Sequence, residues 1–162
     1  MSVSHIVLRR FAPTIQRLIL VTGLALAIFG TVTPTDVVAQ QQSLIVGNDR
    51  GGSVSRRAKE IAQLQQDGRR VEIRGHICYS SCTLYLGARD VCVSPNTSFG
   101  FHGPSLRGQP LAPAQFEKWS QIMADFYNAP LRQWFMAQGR YARNNILHLS
   151  GRQLIAIGYQ TC

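Results

Sequence analysis

The sequence feature that most constrains the fold is the stretch Gly75–Leu84 (GHICYSSCTL), in which an apolar segment leads through two serines into a second apolar segment. This order predicts a β-strand that turns sharply into a helix, with Ser80 at the elbow. A serine held there has its Oγ at the top of a sheet, where the free N–H groups of the helix N-terminus face any negative charge that develops. Ser80 is therefore a candidate nucleophile.

A structural role is the alternative for Ser80, because serine is also a preferred N-cap residue at the start of a helix. On the local sequence alone, the N-cap is the simpler interpretation. Two other features favour the nucleophile: a Gly51–Gly52 turn follows a short apolar segment, and His102 ends a predicted strand. Glycine lets backbone N–H groups approach a substrate carbonyl, and histidine suits proton transfer near neutrality. Together these residues suggest a site for acyl transfer.

Residues 1–39 are predicted to be a secretory signal peptide. Three arginines precede Leu18–Val32, a charge-free and largely apolar run of fifteen residues, and the small residues before Gln40 fit a cleavage site after Ala39. An uncleaved membrane anchor is the alternative, but a spanning helix needs about 20 apolar residues. We therefore expect a secreted or periplasmic protein whose mature domain covers residues 40–162, with no other membrane contact.

The charge of the chain argues against a nucleic-acid partner. The formal net charge is +9, but the basic residues are spread along the chain, and the local groups Arg56–Lys59 and Arg69–Arg70 lack interleaved aromatic residues. We interpret them as a solvated cationic face, and binding to an anionic membrane surface or cell-wall polymer is the alternative. No phosphate-binding glycine loop or zinc ligand set occurs, so we expect no cofactor and no metal.

All four cysteines, Cys78, Cys82, Cys92 and Cys162, follow the predicted signal, so we expect an oxidising compartment in which disulfides persist. Four cysteines allow three sets of pairings, and the sequence alone leaves these open. A thiolate at Cys78 or Cys82 is an alternative nucleophile to Ser80. Oxidation of free thiols argues against it, as does helix geometry, which turns residues two positions from Ser80 in another direction.

Apolar segments and amphipathic segments alternate along the mature chain. Strands are predicted at Ser43–Val46, Val71–Ile73, Val91–Val93 and Ser98–His102, and helices after Ser53, over Thr83–Ala88 and after the Ser150–Gln153 capping box. This order predicts an α/β domain with a largely parallel sheet. Residues 114–138 predict one long amphipathic helix, or two helices separated near Pro130. Residues 103–113, with three prolines, are predicted to be a loop near the site.

With these segments in order, the chain resembles the Clp protease proteolytic subunit within the crotonase-like superfamily, and more closely its secreted, periplasmic-type relatives. Four motifs carry the resemblance, which covers most of residues 43–162. They are the turn Gly51–Val54, the Cys-x-Ser-x-Cys elbow Cys78–Cys82, the Pro-Asn turn and strand Pro95–His102, and the closing helix Leu149–Tyr159. The resemblance implies a Clp-protease/crotonase-like fold and a serine peptidase-like hydrolase that acts on a peptide or protein.

Carried over position by position, the resemblance places the nucleophile on Ser80 and the base on His102. The oxyanion donors fall on the Ser81 N–H and on that of Gly51 or Gly52. Because family members assemble as rings or trimers, the resemblance also implies a homo-oligomer.

The resemblance further implies a disulfide between Cys92 and Cys162, since the family's final strand would run beside the strand that holds Cys92. The family's first strand–helix unit has no counterpart here, so Ser43–Val46 is expected at an exposed sheet edge.

The chain departs from the family at the acidic member of the triad, where residues 144–148 (NNILH) contain no carboxylate. Asn145 or His148 is the candidate for orienting His102, although neither stabilises an imidazolium as well as aspartate does. His76, just before the elbow, is a rival base for which a structural role is the simpler interpretation. The absent carboxylate defines the alternative function, a non-catalytic scaffold or binding protein of the cell envelope.

Overall fold

Short strands alternate with helices along the chain. The computed structural model describes residues 42–143 and 145–162, which belong to one compact unit, Val38–Cys162. The elements are β1 (Leu44–Val46), α1 (Val54–Gln66), β2 (Val71–Ile73), β3 (Ile77–Tyr79), a 3₁₀ helix (Ser80–Gly87), β4 (Val91–Val93), β5 (Ser98–Phe101), β6 (Ser105–Leu106), β7 (Gln109–Pro110), α2 (Pro113–Ala124), α3 (Ala129–Ala137), a second 3₁₀ helix (Gly139–Tyr141), β8 (Leu147–Ser150), α4 (Gly151–Ala156) and β9 (Gln160–Thr161). The signal peptide predicted for residues 1–39 lies outside the described residues.

The larger sheet is parallel throughout and has the strand order β1-β2-β4-β9. Its central strands carry β-branched residues at alternate positions, and Val71, Ile73 and Val93, which share one face, are fully buried in the core. Strand β1 lies at the edge, as expected, and the side chain of Ile45 there is 63% exposed. The mixed α/β class and the parallel sheet predicted from the sequence are confirmed.

The smaller sheet has the order β3-β5-β8 and positions the elbow. Strand β3 runs parallel to β5, with Tyr79 opposite Gly100, and β8 runs antiparallel to β5 on the other side. Strand β5 ends at Phe101, so His102 lies one residue beyond it. Since β3 and β5 are parallel neighbours, Ser80 and His102 emerge from the same end of this sheet.

Helix α1 begins and ends as the sequence predicts. The Ser53 side chain accepts a hydrogen bond from the Arg56 N–H, and Ile61 and Leu64 pack into the core. The helix ends before Gly68, which adopts a left-handed φ of 64°. The capping box of α4 is also present, between Ser150 and Gln153.

The C-terminal helical region consists of α2 and α3, so the expectation of one long helix is wrong and the two-helix alternative is right. Proline at the start of a helix does no harm, but within one it would remove a hydrogen bond. Accordingly, Pro130 lies in the first turn of α3, and the Asn128 side chain caps that turn by accepting from the Leu131 N–H at 3.1 Å. Phe135 of α3 packs edge-to-face against Tyr127 in the core.

The region predicted to be a loop, residues 103–113, contains the hairpin β6–β7. Its two central residues, Arg107 and Gly108, both have positive φ values of 52° and 79°, the backbone that tight hairpin turns require. Both strands of the hairpin are exposed, and Leu106 is 65% exposed. The hairpin stands beside the elbow and forms part of the cavity described below.

Two disulfides cross-link the fold, Cys78–Cys82 and Cys92–Cys162, and the described residues contain no free cysteine. The second pair is the one that the resemblance implies, and β9 indeed runs parallel to β4, which carries Cys92. Across residues 42–143 and 145–162, no helix has the length and apolar character needed to cross a membrane.

Candidate active site

Ser80 follows β3 directly and is the first residue of the 3₁₀ helix, with a left-handed backbone. Its φ is 56°, and Arg107 is the only other non-glycine residue in the described ranges with positive φ. For an L-residue this conformation costs about 1 kcal/mol. The N-cap position of the 3₁₀ helix belongs to Tyr79, and no side chain caps that end. The alternative interpretation of Ser80 as an N-cap is therefore wrong.

The strained elbow is held from inside the core by Thr83. The Thr83 Oγ1 donates a hydrogen bond to the Ser80 carbonyl oxygen at 2.8 Å and lies 2.8 Å from the Tyr127 hydroxyl. Since the threonine hydroxyl has one proton, Tyr127 must be the donor in the second contact. Burial raises the pKa of Tyr127 well above its usual range, which keeps that donor protonated.

The Cys78–Cys82 disulfide spans the elbow on either side of Ser80. Both cysteines are fully buried, Cys78 in β3 and Cys82 in the 3₁₀ helix. A cysteine in a disulfide has no thiolate to act as a nucleophile. With both sulfurs bonded, the hydroxyl of Ser80 is the nucleophilic group that the elbow presents.

The turn at Gly51 touches the elbow, as the sequence motifs predict. A Cβ atom on Gly51 would lie 2.5 Å from Ser80 Cβ and 2.9 Å from the Ser81 backbone nitrogen, and the φ of Gly51 is 92°. Both the space and the backbone conformation therefore exclude a larger residue at this position. The contact brings the backbone of the Gly51–Gly52 turn against Ser80.

Asp49 anchors this turn. Its Oδ1 accepts a hydrogen bond from the Gly51 N–H at 2.7 Å, and its Oδ2 forms an ion pair with Arg57 at 2.6 Å. The Gly51 N–H is therefore already engaged. Among the described residues, by contrast, the Gly52 N–H has no acceptor. The Ser81 N–H lies in the first turn of the 3₁₀ helix, where backbone donors lack partners within the helix.

Arg57 joins α1 to the elbow and was not recognised from the sequence. We expected the cluster at residues 56–59 to be a solvated face, but the Arg57 side chain is 14% exposed. Its guanidinium binds Asp49, Glu60 and the Tyr85 hydroxyl and lies over the Tyr85 ring at 4.2 Å. Burial, together with the hydrogen bond to Glu60, raises the pKa of Tyr85, so its hydroxyl remains a donor.

His102 is oriented by a backbone carbonyl. Its Nδ1 lies 2.7 Å from the Gly103 carbonyl oxygen. A carbonyl can only accept, so Nδ1 carries the proton and Nε2 of the neutral ring has a free lone pair. Gly103 is itself fixed, because its N–H donates to the Ala142 carbonyl at 3.1 Å and a Cβ on it would overlap the Arg140 carbonyl. This tautomer is the one that a general base requires.

Neither residue proposed as the third member binds His102. His148 lies opposite Gly100 in the small sheet, where its Nδ1 is 3.2 Å from Ser98 Oγ and its ring packs edge-on against Tyr79. Asn145 lines a cavity together with His102 but forms no hydrogen bond with it.

The rival base, His76, does not line a cavity with Ser80 or with His102. Its side chain is exposed, and its backbone N–H donates a hydrogen bond to Asn48 Oδ1 at 2.7 Å, which supports a structural role. His102 is therefore the imidazole that the fold brings to the elbow.

Ser80 and His102 line the same cavity, which has a volume of about 370 Å³ and also includes Gly52. Six apolar side chains line it: Val54, Pro104, Leu106, Leu111, Trp119 and Met123. Ser80 and His102 both belong to the described residues and line this cavity, but no hydrogen bond joins Ser80 Oγ to the His102 ring. Catalytic hydrogen bonds are often long without substrate and tighten in the reactive complex.

No protein-family model and no curated protein matches the sequence.

Proposed function

We propose that this protein is a secreted or periplasmic serine hydrolase with a Clp-protease/crotonase-like fold, which cleaves peptides by acyl transfer. One observation supports this most strongly: Ser80, in a strained left-handed elbow, lines a cavity that it shares with His102, whose Nδ1 is bound to the Gly103 carbonyl oxygen. Strained backbone of this kind persists only where the surroundings enforce it, and it is concentrated at functional sites.

In the proposed reaction the substrate carbonyl enters the cavity beside Ser80. Ser80 Oγ attacks the carbonyl carbon while His102 Nε2 takes the hydroxyl proton, and the N–H groups of Gly52 and Ser81 bind the oxyanion. His102 then gives its proton to the leaving amine as the C–N bond breaks. Water attacks the resulting acyl-serine with the same base, which releases the acid and restores the Ser80 hydroxyl.

The backbone carbonyl at His102 Nδ1 distinguishes this site from a triad with a carboxylate. The Gly103 carbonyl fixes the ring and its tautomer, but as a dipole without net charge it stabilises the imidazolium less than a carboxylate does. We therefore expect a working but slow hydrolase.

Labelling with a neutral fluorophosphonate tests the proposal. We expect covalent modification of Ser80, located by peptide mass mapping, and none in Ser80→Ala. The rate should fall by at least about 100-fold in His102→Ala, which lacks the base. Ser105→Ala removes another hydroxyl from the same cavity and should label normally.

A non-catalytic scaffold of the cell envelope is the second candidate. Two observations on the described residues favour the scaffold. No carboxylate binds His102, and no hydrogen bond joins its ring to Ser80. If the folded protein is not labelled at Ser80 under conditions where an active serine hydrolase is, the hydrolase proposal fails and the scaffold is left.

A further inference from the structure

A second cavity, of about 530 Å³, shares His102 with the first cavity but does not include Ser80. Phe116, Arg143 and Asn145 line the second cavity and not the first. In the reaction proposed above, His102 protonates the leaving group, so the leaving portion of a substrate lies on the His102 side of the cleaved bond. What lines this second cavity therefore selects the leaving portion, an inference that rests on the proposed function.

Carboxylates are absent from the described lining of both cavities. Every described side-chain carboxylate except Asp67 forms an ion pair with an arginine that lines neither cavity. These paired residues are Asp49, Glu60, Glu72, Asp90, Glu117 and Asp125. Within the described ranges, no carboxylate therefore pairs with Arg107 or Arg143, the two arginines that line the cavities.

Two arginines pack on the ring of Phe116 and differ in their partners. The Arg140 guanidinium lies 5.7 Å from the ring centroid and is bound to Glu117 at 2.6 Å. The Arg143 guanidinium lies 5.4 Å from the same ring, is exposed, and has no ion pair within the described residues. The aromatic ring supports the Arg143 side chain at the cavity while its charge stays available.

The first cavity adds positive potential and an apolar wall. It contains the N-terminus of the thirteen-residue helix α1, whose first turn has no acidic residue, and Arg107 of the hairpin, which has no ion pair among the residues described. The six apolar side chains named above also line it, together with four serines. An apolar substrate residue therefore suits the acyl side of the cleaved bond, which lies in this cavity. The positive potential around the cavity favours a negatively charged substrate.

We propose that Arg143 binds a carboxylate on the leaving portion of the substrate. The substrate class is then a peptide with an apolar residue before the cleaved bond and a carboxylate shortly after it. That carboxylate belongs either to an acidic side chain or to the peptide C-terminus. Guanidinium is the side chain best suited to such a group, because it donates two parallel hydrogen bonds to a carboxylate.

The test uses the Ser80→Ala protein, so that binding is measured without turnover. Calorimetry compares three peptides: acetyl-Ala-Leu-Gly-Asp-amide, its Asn counterpart, and acetyl-Ala-Leu-Gly-Gly with a free C-terminus. We expect at least one carboxylate peptide to bind about fivefold more tightly than the Asn peptide, a preference that weakens in high salt. Comparing the two carboxylate peptides separates the side-chain source from the terminal one.

Adding Arg143→Gln should abolish the preference while retaining the packing on Phe116, and Arg143→Lys should retain part of it. Arg89→Ala is the matched control, because it removes an exposed arginine that lies outside both cavities and has no ion pair in the described part of the chain. Equal affinities, no measurable binding of either carboxylate peptide, or a preference that survives Arg143→Gln would overturn the inference. The proposed hydrolase is judged separately, by fluorophosphonate labelling of Ser80 in the wild-type protein.

Discussion

The two disulfides connect regions of opposite character. Cys92–Cys162 joins β4 to the chain after β9, across a separation of 70 residues, in a sheet in which Val71 and Val93 are fully buried. Cys78–Cys82 spans a separation of four residues around Ser80, whose backbone is in an unfavourable conformation. The same covalent bond therefore cross-links a stable sheet in one place and a strained turn in the other.

The sheet and the elbow differ in what they contribute: the sheet contributes stability, and the elbow positions the Ser80 hydroxyl. The parallel sheet is stabilised by apolar burial and by a cross-link that closes a long loop, both of which lower the free energy of the folded state relative to the unfolded chain. The elbow instead costs free energy and positions a hydroxyl. We therefore expect that variants of the sheet change stability alone, whereas variants of the elbow change the reactivity of Ser80.

The largest effect on stability is expected from removing the long-range disulfide. Cys92→Ala with Cys162→Ala should lower the free energy of unfolding by about 4 kcal/mol, because the unfolded chain regains the entropy of a long loop. Urea unfolding under non-oxidising conditions measures this value. The folded fraction should still label at Ser80 at the wild-type rate, and a slower rate there would show that the two regions are not separable.

Gly51→Ala should cost about 3 kcal/mol, since it combines overpacking against Ser80 with a left-handed backbone. Gly68→Ala is the matched control: its φ of 64° is also left-handed, but a Cβ there meets no atom within 4 Å. It should cost about 1 kcal/mol and leave labelling unchanged. If Gly51→Ala and Gly68→Ala lose the same stability and the same labelling rate, the close packing of Gly51 against the elbow is contradicted.

Compared with removal of Cys92–Cys162, removal of the Cys78–Cys82 disulfide should lower the free energy of unfolding less and the labelling rate of Ser80 more. Cys78→Ala with Cys82→Ala is expected to lower the free energy of unfolding by about 2 kcal/mol, because the loop it closes is short. Labelling of Ser80 in the folded protein should fall on the order of 100-fold, since small displacements of a nucleophile have effects of that size. Wild-type labelling in this variant would show that Thr83 and Gly51 hold the elbow without the disulfide.

The smallest effect concerns the backbone of Ser80 itself. Ser80→Gly should be more stable than Ser80→Ala by about 1 kcal/mol, because glycine adopts positive φ without steric cost. Neither variant should react with the fluorophosphonate. Thermal unfolding of Arg107→Gly and Arg107→Ala gives the same comparison at an exposed turn, where we expect the same sign. If Ser80→Gly unfolds at a lower temperature than Ser80→Ala, the elbow is not strained.

The elements with a local signal could be predicted from the sequence. Val71–Ile73 and Val91–Val93 have the predicted bounds because each has β-branched residues at alternate positions, and Ser53 caps α1 as expected. Strand β8 could not be predicted, because it forms by pairing with the distant β5 rather than by its own propensity. The predicted helix at Thr83–Ala88 is a 3₁₀ helix that begins at Ser80.

The candidate site divides in the same way. The motifs were sufficient to select Ser80, His102 and the Gly51–Gly52 turn, but not to show that Asp49 occupies the Gly51 N–H. Asp49 resembled an ordinary turn residue, and Arg57 a surface cation, because ion pairs between separate elements leave no local pattern. The expected partner of His102 was a side chain, Asn145 or His148. The observed partner is the main-chain oxygen of Gly103.

That oxygen belongs to the peptide bond between Gly103 and Pro104, so no codon change can delete it. An alanine scan of this protein would miss this hydrogen bond, because every substitution retains the carbonyl. Detecting it requires chemistry on the main chain, such as replacing Pro104 by an α-hydroxy acid, which turns the amide into an ester whose carbonyl is a weaker acceptor. The lack of an acidic side chain beside His102 is therefore not evidence that the site is inactive.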